Sequence, residues 1–411
     1  MRSLSFILTL FLFSLTCVAK TITVGTSGAF QKIQDAINAS QNGDVIIVEA
    51  GNYNEKDLIV NKSVTLQGKG YPVLDGDHLY EIISVKANNV TIQGFKLVHS
   101  GVSSIVDIAG IKIYACRNVV IADNIFMDTF FGIYLQNASN CIIKDNKLFA
   151  YATTEQQSGN GIHCWQSDSL QVVGNTITGH RDGIYFEFVT NSVIWRNYSV
   201  DNMRYGLHFM FSHNNAYISN IFQRNGAGAS VMFSHGVKMF NNTFEDNWGD
   251  GAYGVFLKEM SDSYIIGNKF TKNTVGVFME GATNIHVEKN IFLSNGWAFK
   301  IQASSSNVTI THNNFIANTY DIGTNGSLVL NSFNENYWDK YDGYDLNKDK
   351  LGDVPYRPVS MFAMIVEKNP SAMILFRSFM ASLLDKTEKL LPSLTPENLK
   401  DDHPLMKPLK L

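Results

Sequence analysis

The chain has 411 residues, a net charge of −4, 31 glycines and only 8 prolines. That length suits one large domain or two ordinary ones. The mild acidity, with no basic stripe, argues against a nucleic-acid partner.

In chain order, MRSLSFILTLFLFSLTCVAK opens with one Arg and then an apolar run. Cys17 and Ala19 make a −3/−1 pair for cleavage after Ala19, so residues 1–19 read as a secretory leader and the mature protein as exported. Cys17 is also a candidate lipid attachment site, although Ser14-Leu15-Thr16 is a poor lead-in. Three cysteines remain, Cys116, Cys141 and Cys164. Cys116 and Cys141 fall at different points of the chain's internal repeat, so no disulfide is assumed. Beyond Ala19 no charge-free apolar run reaches the length of a membrane span.

The segment AFQKIQDAINAS spaces Phe30, Ile33 and Ile37 as on a helix, with Ser27 as its expected N-cap. A helix there would cover the open first coil of a repeating strand architecture.

From residue 118 onward a pattern recurs: Asn, two residues, an aliphatic, two residues, Asn. It reads NVVIADN at 118, NCIIKDN at 140, NSVIWRN at 191, NIHVEKN at 284 and NVTITHN at 307. The second Asn falls at 124, 146, 175, 197, 220, 242, 268, 290, 313 and 336, mostly 22 or 23 residues apart. A glycine comes next each time, at 132, 161, 183, 206, 228, 254 and 276, with Ala298 in the next slot. Short alternating strands and a fixed period without amphipathic helices predict a right-handed parallel β-helix, an all-β solenoid, over 20–340. Asn suits its turns because it tolerates left-handed backbone, and stacked amides can bridge coils. Insertions around 149–159 and 246–253 either wall a site or are merely tolerated.

Alternation sets direction. In GIYFEF the Ile and Phe after Gly183 point inward, so Tyr185 and Glu187 point outward. The same register predicts an exposed double row: Tyr134 and Gln136, His163 and Trp165, Tyr185 and Glu187, His208 and Met210, Ser230 and Met232, Phe256 and Lys258. Cys164 takes an inward, core slot. A stripe of aromatic, His and Met side chains over several rungs suggests a binding surface.

Met-Phe-Ser-His occurs twice, at Met210–His213 and Met232–His235. The offset is 22 residues, one coil, so thioether should lie over thioether and imidazole near imidazole, ~4.8 Å apart. Soft sulfur with imidazole suits Cu(I). Met210, His213, Met232, His235 and His208 are therefore the candidate metal ligands. A lone Met is usually core filler and a lone His is usually just hydrogen-bonded; it is the doubling in register that favours a metal.

Residues 341–411 change character. Asp345-x-Asn347-x-Asp349 resembles part of a calcium loop but lacks its Gly and distal Glu, so a solvated turn is the expectation. Pro370 begins a predicted helix over 370–391 that packs on the solenoid or docks on a partner. Arg377, Asp385, Lys386 and Glu388 argue against its spanning a bilayer. The tail LTPENLKDDHPLMKPLKL reads as an extended arm.

Several strings together resemble the NosD family: HRDGIYFEFVTNSVIWRN (180–197), MRYGLHFMFSHNN (203–215), NYWDKYDGYDLNKDKLGDVPYRP (336–358), NPSAMILFRSFMASLLDKTEKLLP (369–392) and DDHPLMKP (401–408). The resemblance implies a non-enzymatic periplasmic accessory protein of nitrous oxide reductase maturation. It implies copper handling for that enzyme's copper-sulfur centre. The implied partners are the membrane subunit and ATPase of an ABC transporter and a copper-donor lipoprotein, with membrane contact through the partner. The competing reading is a polysaccharide-degrading or polysaccharide-binding β-helix. Hydrolysis would need paired carboxylates facing one groove. The outward row offers only Glu187, with Asp182 expected at a turn nearby.

Overall fold

A computed structural model describes residues 19–103, 105–326, 330–376, 378–390 and 399–411. The expected leader lies outside these residues except for its last position. The chain winds as a right-handed parallel β-solenoid of about 14 turns. Its three walls are parallel sheets of fourteen, twelve and thirteen strands, and each coil adds one strand to each wall.

Two asparagines per coil do different work. The first of each motif sits at a turn with left-handed backbone, as at Asn118 (φ 58°), Asn191 (φ 53°) and Asn284 (φ 57°). The second points into the stack and is buried. Asn220 shows the pattern. Its Oδ1 accepts from the backbone N–H and the Nδ2 of Asn197 at 2.9 and 3.0 Å. Its own Nδ2 donates to the carbonyl of Ile194 at 2.9 Å and to Oδ1 of Asn242 at 3.0 Å. The ladder runs unbroken from Asn124 to Asn336. A second ladder runs from Asn202 through Asn225, Asn247, Asn273 and Asn295 to Asn318.

Between the walls the rungs stack like on like. Phe222, Phe244, Phe270, Phe292 and Phe315 form a file with centroids 4.8 to 5.2 Å apart, ended by Trp338 at 4.1 Å from Phe315. The recurrent glycine lies near the start of strands of the twelve-stranded wall, as Gly206 does in Tyr205–Met210 and Gly228 in Ala227–Met232. A Cβ at Gly206 would stand 2.6 Å from the Gly228 carbonyl oxygen and 2.9 Å from the Phe222 ring. Only the absence of a side chain lets successive coils approach there. Cys116, Cys141 and Cys164 are unpaired and buried. Burial pushes the Cys141 thiol up to about 11 and Cys164 well above its usual value, so neither offers a thiolate at neutral pH.

Both ends are closed. At the start, helix α1 (Ile33–Ala39) buries Ile33 and Ile37. Ser27 is not its cap: Lys32 holds the N-cap position and offers no side-chain bond. The carboxylate of Glu55, one coil on, instead accepts the Ile33 and Gln34 N–H groups at 2.6 and 2.9 Å, a full negative charge on the positive end of the helix. Ser27 donates its hydroxyl to Glu49, and Phe30 lies before the helix, bridging to Val24.

At the far end the segment expected as one helix over 370–391 is divided. Helix α2 (Met361–Lys368), capped by the Ser360 hydroxyl at 3.1 Å from the Ala363 N–H, precedes a 3-10 turn at Pro370–Leu375. Helix α3 (Phe379–Leu390) comes after it. Pro370 has no N–H to continue α2, which explains why α2 stops before it. Among the described residues no helix is long and apolar enough to cross a membrane.

Residues 399–411 are not a free arm. Asp401 is fully buried and takes the next place in the asparagine ladder, accepting from the N–H and Nδ2 of Asn336 at 2.9 and 3.0 Å and from Trp338 Nε1 at 3.0 Å. The Asp-rich loop caps itself, since Asp345 accepts the Asp349 and Lys350 N–H groups at 3.2 and 2.9 Å.

Replacing Asn220 by Ala leaves the Asn197 N–H and amide without an acceptor inside the stack. Each such buried group costs about 1–3 kcal/mol. Urea denaturation of Asn220→Ala should show a loss of about 3 kcal/mol or more; a loss below about 1 kcal/mol would contradict the ladder's role.

Candidate metal-binding face

The outer surface of the twelve-stranded wall carries the predicted double row, and the register holds rung by rung. Tyr134 pairs with His163, then Tyr185, His208, Ser230 and Phe256; Gln136 pairs with Trp165, then Glu187, Met210, Met232 and Lys258. The direction follows the alternation, but the exposure does not. Tyr134, His163, His208 and Ser230 are buried on the outside of the solenoid, at 5, 7, 7 and 0 % exposure. Rungs ~4.8 Å apart bring flat rings into face contact, so each covers its neighbour. Tyr134 stacks on His163 with centroids 4.5 Å apart, and Tyr185 on His208 at the same spacing. A third outer row closes the side, with Phe131 set edge-on to His163 at 5.3 Å and Tyr205 edge-on to His208 at 4.8 Å.

Within this row lies a polar cluster that the sequence did not disclose. Asp182 begins its strand rather than sitting at a turn, and it is fully buried. Arg204 Nε and Nη2 donate to its two oxygens at 3.0 and 2.8 Å, and His208 Nδ1 lies 3.4 Å from Oδ2. Burial alone would raise the carboxyl, but His208 and Arg204 outweigh it and hold the group below its ordinary range. The only trace in the sequence was Asp182 and Arg204 one 22-residue period apart. Nε2 of His163 and of His208 and both ring nitrogens of His180 are buried without hydrogen-bond partners.

The candidate ligands fall into two groups. Met210 and Met232 are direct cross-strand partners and half-buried. His213 and His235 stack with centroids 4.0 Å apart and planes 12° apart, and the His235 N–H donates to His213 Nδ1 at 3.3 Å. Burial, then the neighbouring His235, holds the His213 imidazole below its usual range, so the neutral, ligating form is favoured. Between these rows Phe188, Phe211 and Phe233 stack at 5.2 and 5.0 Å with left-handed backbone at each. His208 stands apart, turned from the Met pair toward Asp182. Met239, Met260 and Met279 lie in the core.

The C-terminal end of the same wall is covered. Phe362, Ala363 and Val366 of α2 and Ala381 of α3 pack on Val275, Trp297 and Tyr320. Lys300 and Glu367 clamp α2 to the wall at 2.5 Å, with both side chains mostly buried. Ile374, Phe379 and Leu383 remain exposed, at 88, 81 and 44 %.

Among known proteins, a family profile described as periplasmic copper-binding protein (NosD) matches residues 148–343, and one described as right handed beta helix region matches 37–177. A protein of Pseudomonas aeruginosa named probable ABC transporter binding protein NosD is 26 % identical over 377 residues, covering 87 % of each chain. Its namesake in Stutzerimonas stutzeri is 24 % identical over 378 residues, covering 87 % of this chain and 86 % of that one. Among solved structures, PfbA, a surface adhesin of Streptococcus pneumoniae, superimposes with a TM-score of 0.59 at 12 % identity over 72 % of this chain and 88 % of its own. The A-module of the Azotobacter vinelandii mannuronan C-5 epimerase AlgE4 gives 0.51 at 17 % identity over 74 % and 88 %. These two show a shared fold.

The buried histidines make stability depend on pH. His163 and His180 are pushed down to about 3 chiefly by burial, against an unfolded value near 6.5. The unfolded chain therefore takes up protons first. Their contribution is complete above pH ~6.5 and is lost as pH falls toward 3, at roughly 2 kcal/mol per histidine by pH 5. Unfolding free energies measured from pH 7 to pH 5 should fall accordingly, and His180→Leu should remove about half of the slope. A slope unchanged by His180→Leu would refute its burial as a neutral ring.

Proposed function

We propose that this chain, which belongs to the NosD family of periplasmic copper-binding proteins, receives Cu(I) on the stacked Met210/Met232 and His213/His235 rungs and passes it on. The observation that carries the reading is the register: two Met-x-x-His strings placed one coil apart, thioether beside thioether and imidazole over imidazole. The donors are neutral, so soft metal binds without releasing a proton from a thiol. A half-exposed site suits handover better than a closed cage, and His208 is left to its bond with Asp182. The cargo is destined for the copper-sulfur centre of nitrous oxide reductase, supplied by a copper-donor lipoprotein, in the periplasm. The protein works as a binding protein rather than an enzyme. Asp182, the carboxylate nearest the aromatic row, is engaged by Arg204 through both oxygens and is not free for acid-base work.

The relatives named as ABC transporter binding proteins suggest where the extension acts. Helix α2 anchors on the solenoid through Lys300–Glu367, and the exposed Ile374, Phe379 and Leu383 present an apolar face to the transporter's membrane subunit and, through it, to the ATPase.

Anaerobic titration of the mature chain with Cu(I) against a chromogenic competitor should show binding that falls at least tenfold in Met210→Ala/Met232→Ala and in His213→Ala/His235→Ala. Affinity equal to wild type in both would move copper elsewhere, and no Cu(I) binding by wild type would defeat a stand-alone site. Phe379→Glu/Leu383→Glu should keep Cu(I) binding and the folded spectrum yet lose co-purification with the co-expressed transporter. Retained co-purification would exclude α3 as the contact.

A further inference from the structure

We propose a second metal site, for a borderline divalent transition cation such as Zn2+ or Cu2+, on His78, His99 and Asp128, with Asp75 orienting His99. It lies at the corner where the thirteen-stranded wall turns, several coils N-terminal to the Met/His rungs, and shares no residue with them.

The solenoid builds the cluster by stacking. His99 and Asp128 directly follow their strands, Lys96–Val98 and Ile125–Met127, which pair in register. The His78 N–H donates to the His99 carbonyl at 2.9 Å, and the His99 N–H to the Met127 carbonyl at 3.1 Å, so three successive coils contribute one residue each. One donor atom from each side chain lies within 4.8 Å of the other two. The rings of His78 and His99 stack at 4.6 Å.

Three features make this more than a surface coincidence. First, all three residues hold left-handed backbone, with φ of 55°, 52° and 54°. Asp and His are among the residues that adopt this conformation most readily, so the turns present imidazole, imidazole and carboxylate without undue strain. Second, His99 Nδ1 lies 3.2 Å from both oxygens of Asp75. A carboxylate on one ring nitrogen fixes the tautomer and aims the other nitrogen outward, the usual support of a metal-bound histidine. Third, the corresponding corner higher up the stack is filled differently: Arg224 pairs with Asp201 at 2.8 Å, one coil apart. In the N-terminal coils that slot holds donors and no cation. The Asp128 carboxylate accepts no hydrogen bond from the described residues, and the nearby Lys56 is turned to Asp77 at 2.6 Å.

Two imidazoles and a carboxylate, without sulfur, suit Zn2+ or Cu2+ and discriminate against the Cu(I) of the thioether rungs. Zinc bonds of ~2.0–2.2 Å hold donors closer together than 4.8 Å, and side-chain rotation of the exposed His78 and the half-buried His99 and Asp128 would close the set. Three protein donors leave a fourth position to water. Binding ties three coils together near the N-terminal cap and stabilises the folded state alone.

The test uses the chelator-treated mature chain carrying His213→Ala/His235→Ala, so that the stacked imidazoles cannot contribute. Calorimetric titration with ZnCl2 should show one equivalent bound and a thermal midpoint that rises with zinc. X-ray absorption of that complex should show nitrogen and oxygen neighbours and no sulfur. Adding His78→Ala/His99→Ala should abolish the binding, and Asp75→Asn should weaken it by about 10–100-fold. Asp128→Asn, close in shape and at a half-buried turn, gives the same comparison if the double histidine variant fails to fold. No zinc bound, binding unchanged by Asp75→Asn and Asp128→Asn, or sulfur in the coordination shell would each overturn the site. None of these outcomes depends on Cu(I) binding at Met210 and Met232.

Discussion

Everything in this molecule depends on one constraint: parallel strands stack in register, so residue n of one coil lies over its equivalent in the next. Regularity results because an amide can then bond its own copy. Asn197, Asn220 and Asn242 each satisfy the backbone and side chain of the coil before. The phenylalanine file and the glycine row are the same constraint expressed as ring stacking and as close backbone approach. A solenoid of this kind has no single centre, and its ends must be closed. Glu55, which caps the N-terminus of α1 from the next coil, closes one, and Asp401, standing in for one more asparagine, closes the other.

The same constraint makes the outer surface programmable. Repeating a residue type once per period produces a row of that type on the outside. On the twelve-stranded wall the rows differ in character along the axis. The middle holds His163, Tyr185 and His208 packed around the Asp182–Arg204 pair, a buried layer outside the core. Beside it the Met210/Met232 and His213/His235 pairs remain reachable from solvent. Toward the C-terminus α2 and α3 cover the wall and expose a second, apolar surface. The paired Met and His side chains and the apolar surface of α3 thus occupy separate stretches of one face. The N-terminal coils carry a different donor set, His78, His99 and Asp128, at a different corner.

Stacking also explains how buried cysteines among the described residues are kept inert. Cys141 and Cys164 occupy inward slots, where burial disfavours the thiolate. The soft donors open to solvent are thioethers, which need no deprotonation.

The period, the inward and outward alternation and the Met-Phe-Ser-His doubling could all be read from the amino-acid order. Each is a local pattern that in-register stacking carries directly into space. That was enough to determine the solenoid, the direction of Tyr185, Glu187, Met210 and Met232, and the pairing of His213 with His235. Exposure could not be read the same way, because it depends on what lies beside a row. Tyr134, His163 and His208 point outward yet are buried, covered by neighbouring rungs and by Phe131 and Tyr205. Contacts between distant segments were equally hidden. Glu55 rather than Ser27 caps the first helix, Asp401 completes a ladder that ends 65 residues earlier, and Lys300 holds Glu367. Periodicity within one coil decided where side chains point; only the stacked and folded-back chain decided what covers them and what they bind.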